Sequence, residues 1–172
     1  MILPAGFRLA EVAIAPGDDR HARGREAAAL ALAHLPGATL DHEGTRPIVR
    51  GATSQISITH GRTRAFAIAA EVARLGIDLV DDAEDARLER LAERYLSSER
   101  AIATTARERA ACFAAKEAGL KALGLGLLDG GVFDACAVRV RSLAPPRLEP
   151  GELTLLLHRI GDGTLAVAYT AW

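Results

Sequence analysis

The stretch between residues 110 and 123 most constrains how this chain can fold, because three charges interrupt a run that is otherwise apolar. Lys116, Glu117 and Lys121 are its charged members, and the rest is alanine, leucine, cysteine, phenylalanine and one glycine. Such a composition is typical of a helix that is packed on most of its sides. Because an unpaired charge there would cost several kcal/mol, roughly the effective penalty for burying an ion, the sequence predicts a buried helix whose charges have specific partners.

The spacing of these charges allows two interpretations. Glu117 and Lys121 are four residues apart and share one helix face, whereas Lys116 points about 100° away from Glu117. A Glu–Lys pair at this spacing is a common helix stabiliser that contributes roughly 0.2–0.5 kcal/mol. The same residues would instead belong to a functional site if further polar groups converge on them.

A second acid upstream favours the functional interpretation. Residues 76–80, Gly-Ile-Asp-Leu-Val, are typical of a short strand in which Asp78 shares a face with Gly76 and Val80. Taken alone, Asp78 is also compatible with a strand-end acid that accepts hydrogen bonds from backbone amides. Together with Glu117 and the two lysines it forms a site for a hard cation and a phosphate, since magnesium is usually held by one or two carboxylates plus substrate phosphate oxygens and waters.

The two segments together resemble the signature of the 4′-phosphopantetheinyl transferases. In that family a Gly-Ile/Val-Asp strand is followed downstream by a Lys-Glu-x-x-x-Lys helix, and residues 76–80 and 113–124 match both motifs in sequence and order. Residues 94–99, Arg-Tyr-Leu-Ser-Ser-Glu, are similar to the Arg-Phe-Leu/Phe-x-x-x-Glu segment between the two motifs, although they are one residue shorter before the glutamate. The resemblance implies an α+β fold and assigns Asp78 and Glu117 as metal ligands.

The resemblance also implies the reaction. A serine hydroxyl of an apo acyl or peptidyl carrier protein would attack the β-phosphate of coenzyme A, and 3′,5′-ADP would leave. Asp78 and Glu117 would hold Mg²⁺, with Mn²⁺ as an alternative, and Lys121 would neutralise the charge that develops on the leaving group. Either Glu117 or a metal-bound water would accept the serine proton. Lys116 and Lys121 would both bind the coenzyme.

Two upstream elements resemble those of the larger, surfactin-synthetase-type transferases, which have a Gly-x-Lys/Arg-Pro segment and a strand that ends in Ser-His-Ser. Arg46 and Pro47 match the first element and would line the adenine end of coenzyme A. Thr59 and His60 match the second, and His60 would touch a phosphate. Gly61 departs from the pattern because it supplies no hydroxyl. Taken alone, His60 is also compatible with a strand-end or core histidine whose hydrogen bonds are satisfied.

Three arginines crowd the start of a predicted helix at residues 21–35. Arg20, Arg23 and Arg25 stand where positive charge is unfavourable against the helix dipole. This crowding is compatible with a solvated helix end or with a contact to a phosphate of a bound nucleotide. Arg25 is our candidate for the phosphate contact.

A helix followed by a strand hairpin occurs twice along the chain, which indicates two similar halves. The predicted hairpins pair residues 56–59 with 65–69 and residues 153–158 with 165–169. We expect an N-terminal half at residues 1–75 that contacts coenzyme A, a C-terminal half at residues 76–172 that carries the metal ligands, and a site between them. By the resemblance, such a chain works as a monomer, whereas the short holo-carrier-protein synthases are single halves that form homotrimers.

Val80 departs from the larger-type pattern, which has a second acid two residues after the strand aspartate. The short members of the family also lack this acid, so the difference implies weaker metal binding or a different metal shell. Asp81 does not replace the acid, because strand alternation points it to the opposite face. Val80 and Gly61 motivate an alternative function, a catalytically weak relative that binds coenzyme A or docks on a carrier domain without transfer.

Composition argues against several other classes of protein. The 172 residues are 49% hydrophobic and 25% charged with a net charge of −1, which is typical of a globular protein and gives no basic signal for nucleic acid. Cys112 and Cys136 are the two cysteines and no two histidines are four residues apart, so neither a disulfide framework nor a zinc site is indicated. We expect neither a signal peptide nor a membrane partner, and a cytoplasmic location.

Overall fold

The helices and strands follow one another in an order that repeats along the chain. The structure is a computed structural model that describes residues 2–44, 46–125 and 135–172. The first part of the chain contains β1 (Arg8–Ala13), α1 (Arg20–Leu32), β2 (Thr39–Glu43), β3 (Arg46–Arg50), β4 (Gln55–His60) and β5 (Arg64–Ala70). The second part contains β6 (Arg74–Asp81), α2 (Asp85–Tyr95), α3 (Ala106–Ala122), β7 (Arg139–Leu143), β8 (Pro146–Glu149), β9 (Thr154–Ile160) and β10 (Gly163–Thr170).

Two three-stranded antiparallel sheets share one strand order. In the first sheet β5 lies between β1 and β4, and in the second β10 lies between β6 and β9. In each part of the chain, the last strand is therefore the central strand of the sheet. Its two neighbours are the first strand of that part and the strand that immediately precedes it in sequence. The hairpins β2–β3 and β7–β8 form separate two-stranded sheets. This mixture of helices and antiparallel sheets confirms the predicted α+β class.

Helix α3 forms where the apolar run predicted a buried helix. Its first turn has a capping box, in which the Thr105 hydroxyl accepts from the Glu108 amide and the Glu108 carboxylate accepts from the Thr105 amide. Hydrogen bonds from Thr104 and Thr105 lower the pKa of Glu108 to about 2. Most residues after the first turn are buried, so the helix packs on most of its sides, as predicted.

Gly76 allows β6 to approach α3 closely. A Cβ atom at this position would collide with the backbone of Ala118 and Ala122, so a side chain here would push the strand away from the helix. The even-numbered residues of β6 face α3, and the odd-numbered ones face the core of the first sheet. The strand alternation predicted from the sequence is thereby confirmed, and Asp78 is held against the helix.

The two sheets meet where β4 lies beside β6. Two buried hydroxyl side chains of β4 accept hydrogen bonds from backbone amides of β6. Ser57 Oγ accepts from Ile77 N at 3.1 Å, and Thr59 Oγ1 accepts from Leu79 N at 3.2 Å. We call this row of contacts the β4–β6 seam. It places the C-terminal end of β4 beside Asp78.

The helices pack their apolar faces against the sheets. Helix α1 covers β4 and β5 with three buried alanines, Ala27, Ala28 and Ala31, and α3 covers β6 and β10. No helix within the described residues combines the length and the apolar character that crossing a bilayer requires.

Candidate functional site

Asp78 and Lys121 form the centre of the candidate site. The Lys121 ammonium donates to Asp78 Oδ1 at 2.7 Å and to the carbonyl oxygen of Ile77 at 3.1 Å. The Thr59 hydroxyl donates to the same Oδ1 atom at 3.1 Å. The side chain of Asp78 is 12% exposed and that of Lys121 28%, so the pair is shielded but still reached by solvent. Lys121 is therefore paired with Asp78 across the helix–strand interface.

Glu117 lies one turn before Lys121 on the same face of α3 and is half-buried. Asp78 and Glu117 supply hard oxygen donors, the type of ligand that Mg²⁺ and Mn²⁺ take. Within the described part of the chain, Asp78 accepts both of its side-chain hydrogen bonds on Oδ1, so Oδ2 could bind a cation. Within the described residues no three metal-ligating side chains converge, so an ion held here would take its other ligands from phosphate oxygens and water. The donor set fits such an ion.

The residues around position 80 explain two departures from the family pattern. Val80 packs against the apolar cluster around α3. Asp81 lies on the opposite face of β6, where its Oδ2 accepts from the Arg62 amide at 3.0 Å. Gly61 leaves room for this carboxylate, since a Cβ atom at residue 61 would lie 2.9 Å from Asp81 Oδ2. Asp81 therefore stabilises the turn after β4. As predicted from strand alternation, it faces away from Asp78 and does not belong to the centre of the site.

A basic cavity of about 180 Å³ lies between α1, the β2–β3 hairpin and the end of β4. Three predicted coenzyme-binding residues, Arg25, Pro47 and His60, are brought together in its lining. Within the described residues, the lining consists of His21, Gly24, Arg25, His42, Pro47, Ile58 and His60. These include three histidines and an arginine but no acid, which favours an anionic group such as a phosphate.

His60 lines the cavity and follows Thr59, the residue that contacts Asp78. Its ring packs edge-to-face on the ring of His21, with centroids 5.0 Å apart and planes at 89°. Burial lowers the pKa of His60 below its ordinary value, and the positive potential of His21 adds to this effect. Lys121 and Arg20 act in the same direction. A bound anion would offset these charges and draw a proton onto His60.

Two histidines of the cavity, His21 and His42, were not predicted as site residues from the sequence. His21 and Arg25 are four residues apart and so project from one face of α1, a spacing that was a usable signal. His42 gave no comparable signal. Only the register of β2 against β3, which places His42 opposite Pro47, brings it to the cavity.

The arginines at the start of α1 differ in their surroundings. Arg23 pairs with Asp18 at 2.9 Å and with Glu26 at 2.8 Å, so its charge is offset by two acids. Arg25 lines the basic cavity. The arrangement keeps Arg25 as the candidate phosphate contact from this helix.

Arg46 reaches from β3 toward the C-terminal end of α3. One of its terminal guanidinium nitrogens lies 3.5 Å from the point where a Cβ atom at Gly124 would be. The C-terminal end of a helix carries partial negative charge, which favours a guanidinium there. Arg46 is thus placed at the edge of the site beside α3, whereas its neighbour Pro47 lines the cavity.

Lys116 has a different partner from the one expected. Its ammonium donates to Glu99 Oε1 at 2.9 Å, and the two side chains are 2% and 0% exposed. Glu99 also accepts from the Val140 amide at 3.1 Å and from Ser98 Oγ at 2.8 Å. The contact of Lys116 with coenzyme A stays a prediction, and in the structure its charge is paired with Glu99 inside the protein.

Lys116→Met is expected to lower the free energy of unfolding by about 3–5 kcal/mol, the usual cost of leaving one member of a buried ion pair uncompensated. Chemical denaturation measures this change. The double variant Lys116→Met, Glu99→Gln removes both charges and should recover part of the loss. A Lys116→Met protein of normal stability with a raised KM for coenzyme A would contradict the structural role.

The fold and the site together define an α+β protein with a carboxylate–lysine centre beside a basic cavity, a combination suited to a phosphorylated substrate. The family model of the 4′-phosphopantetheinyl transferase superfamily matches residues 74–169, more than half of the chain. The chain belongs to this superfamily. The match runs from the first residue of β6 into β10 and includes Asp78, Glu117 and Lys121. A comparison with curated proteins found no matching relative.

Membership of the superfamily implies a phosphopantetheinyl transferase activity. Its members use coenzyme A as substrate, act on carrier proteins and typically require a divalent metal ion. The resemblance seen in the two signature motifs is thereby confirmed at the level of the superfamily.

Proposed function

We propose that the protein transfers the 4′-phosphopantetheine group of coenzyme A to a serine of an apo acyl or peptidyl carrier protein and releases 3′,5′-ADP in a Mg²⁺-dependent reaction. The observation that carries this proposal is the contact of Lys121 with Asp78 at 2.7 Å beside the basic cavity. The cavity would bind the nucleotide phosphates of coenzyme A. Asp78 and Lys121 would act on the pyrophosphate group, where the reaction takes place.

The nucleotide end of coenzyme A would bind at the cavity. Arg25 and His60 would contact its phosphate groups, since both line a cavity whose described lining residues include no acid. Pro47 would offer an apolar surface to the adenine. Arg46, at the edge beside α3, would approach the coenzyme from the other side.

At the centre, a bond forms between the serine oxygen and the β-phosphorus while the bond from that phosphorus to 3′,5′-ADP breaks. Lys121 neutralises the negative charge that develops on the departing oxygen, and we assign Glu117 as the acceptor of the serine proton. When bound by Asp78 and Glu117, Mg²⁺ or Mn²⁺ would supply Lewis-acid stabilisation of the pyrophosphate charge. Positioning and electrostatic stabilisation usually dominate reactions of this type.

The repeated strand order supports a pseudo-dimeric chain that is closer to the larger, surfactin-synthetase type than to the homotrimeric synthases. We propose halves at residues 1–75 and 76–172. Thr59 of the first half touches Asp78 of the second, so the site would lie between the halves of one chain and a monomer would be active. A cytoplasmic location without nucleic-acid or membrane partners stays a prediction.

Release of 3′,5′-ADP from coenzyme A, followed by chromatography, tests the proposed reaction. We expect release to require an apo carrier protein and Mg²⁺, and to stop when the ion is chelated. The apolar position of Val80 favours one alternative, a weak relative that binds coenzyme A without transfer. Binding of coenzyme A without release of 3′,5′-ADP, across apo acyl and peptidyl carrier proteins, would establish that alternative.

The affinity for 3′,5′-ADP should rise as the pH falls through the range in which histidines titrate, about pH 8 to 5. The lowered pKa of His60 means that its imidazole is neutral at the upper end of this range, and protonation at lower pH adds a charge beside the bound phosphate. We expect a gain of roughly tenfold, the size of one charged hydrogen bond. Calorimetric titration measures the affinity, and His60→Gln removes the contribution of His60.

The difference between the two pH profiles isolates His60, because the phosphate groups of the ligand titrate equally in both titrations. Parallel profiles for the natural protein and His60→Gln would show that His60 does not contact the phosphate.

A further inference from the structure

The hydroxyl of Thr59 makes two hydrogen bonds within the protein. It donates its one proton to Asp78 Oδ1 at 3.1 Å and accepts from the Leu79 amide at 3.2 Å. Thr59 is 5% exposed, so the two hydrogen bonds are made in the interior of the β4–β6 seam. This leaves the hydroxyl turned toward β6 and away from solvent.

Asp78 needs such a contact if its carboxylate is to keep one orientation. The terminal torsion of an aspartate is broad and roughly two-fold, so the side chain alone does not select which oxygen faces the helix. Thr59 and Lys121 approach the same atom, Oδ1, from β4 and from α3 respectively. Two donors on one oxygen fix the rotation of the carboxylate and direct Oδ2 away from them.

Ser57 shows that accepting a hydrogen bond from a backbone amide of β6 is not special to Thr59. It lies two residues before Thr59 and makes the equivalent contact, accepting from the Ile77 amide at 3.1 Å. Its exposed fraction is also 5%. The two residues therefore differ in the donation to a carboxylate, which Thr59 makes in addition.

We propose that Thr59 is a positioning residue that orients the Asp78 carboxylate for the metal ion, and that it is not a contact of coenzyme A. This inference rests on the proposed function, because it assumes that Asp78 binds the ion. It gives the seam a role in catalysis: the first part of the chain fixes the orientation of a ligand that the second part supplies. Groups that orient metal ligands typically change metal affinity or activity by 10–100-fold when they are removed.

The test compares Thr59→Val, Thr59→Ser and Ser57→Ala. Valine keeps the shape of threonine without the hydroxyl, and serine restores the hydroxyl. Ser57→Ala is the matched control, because it removes an acceptor from a backbone amide of the same seam without touching a carboxylate. Thermal unfolding confirms that all three variants are folded and shows whether Thr59→Val and Ser57→Ala lose similar stability.

Binding of Mn²⁺ to the complex of each variant with coenzyme A, measured by electron paramagnetic resonance without carrier protein, reports the metal site in the absence of turnover. We expect the Kd for Mn²⁺ to rise by about 10–100-fold in Thr59→Val and to stay near normal in Thr59→Ser and Ser57→Ala. The Kd for coenzyme A without metal should be unchanged in Thr59→Val.

Normal Mn²⁺ binding by Thr59→Val, together with weaker binding of coenzyme A, would overturn the inference and return Thr59 to the coenzyme-contacting role expected from the sequence. An equal rise of the Mn²⁺ Kd in Ser57→Ala would also overturn it, because the effect would then come from the seam as a whole. Absence of Mn²⁺ binding in the unmodified complex would instead contradict the proposed metal-dependent function itself.

Discussion

Asp78→Asn is expected to lower the rate of phosphopantetheine transfer by about a hundredfold or more while the protein stays folded. Asparagine keeps the shape of aspartate and can still accept from Thr59 and Lys121, so the seam and the helix contact survive. The substitution removes the negative charge that holds a cation and that balances Lys121. Steady-state transfer to an apo carrier protein, measured across a range of Mg²⁺ concentrations, gives the change.

Glu117→Gln should cause a loss of similar size, because it removes the second hard ligand and the proposed proton acceptor. Asp81→Asn is the matched control for both variants. Asp81 lies three residues after Asp78 on the opposite face of the same strand, and an asparagine there can still accept from the Arg62 amide. Near-normal transfer by Asp78→Asn or Glu117→Gln at limiting Mg²⁺ would show that the metal site is wrongly assigned.

Lys121→Met is expected to lower the transfer rate by about a hundredfold, the usual cost of removing one charge that stabilises a transition state. Methionine retains a long side chain and a good helix propensity while it deletes the ammonium. If Lys121 served only as a helix-stabilising pair with Glu117, its removal would cost roughly 0.2–0.5 kcal/mol and leave turnover unchanged. Single-turnover kinetics with saturating coenzyme A measure the chemical step directly.

The contact with Asp78 adds an expectation about stability. Lys121→Met leaves a largely buried carboxylate with the Thr59 hydroxyl as its remaining side-chain donor, at a cost of about 1–3 kcal/mol. Lys116 lies five residues before Lys121 on the same helix. Lys116→Met should lower the free energy of unfolding more than Lys121→Met does, and it should leave Lys121 in place to contact the phosphate. A Lys121→Met protein that unfolds more easily but transfers at the normal rate would confine Lys121 to a structural role.

The helix and the strand that carry the candidate site could be predicted from the sequence, because helix and strand patterns are local. The apolar run around Lys121 predicted a buried helix, and the alternation of residues 76–80 predicted that Asp78 faces one side and Asp81 the other. Such patterns reflect helix and strand periodicity, which neighbouring residues alone determine.

The partners of the charges were harder to predict because they depend on how the elements are packed. Lys116 and Lys121 differ in direction around α3, and only the packed structure shows that one meets buried Glu99 and the other meets Asp78. The seam between β4 and β6 is equally non-local, since Thr59 and Leu79 are twenty residues apart. No sequence spacing encodes such a contact.

Two of the strands that the sequence did not predict are short and polar. β2 (Thr39–Glu43) and β8 (Pro146–Glu149) are short, polar members of two-stranded hairpins, so they lack the apolar alternation that marks a half-buried strand. β8 begins at Pro146, and proline is tolerated at the start of an edge strand although it usually marks a break between strands. The glycines at residues 124–131 predict a flexible linker after the Lys–Glu helix, and residues 126–131 of this linker lie outside the described residues.

Mass spectrometry of an apo carrier protein incubated with coenzyme A, Mg²⁺ and this protein tests whether the phosphopantetheine group is transferred. We expect the carrier to gain the mass of one phosphopantetheine group on its acceptor serine, and Asp78→Asn to leave most of the carrier unmodified over the same time. An unmodified carrier after prolonged incubation with the natural protein, under conditions in which coenzyme A is bound, would contradict the proposed transfer.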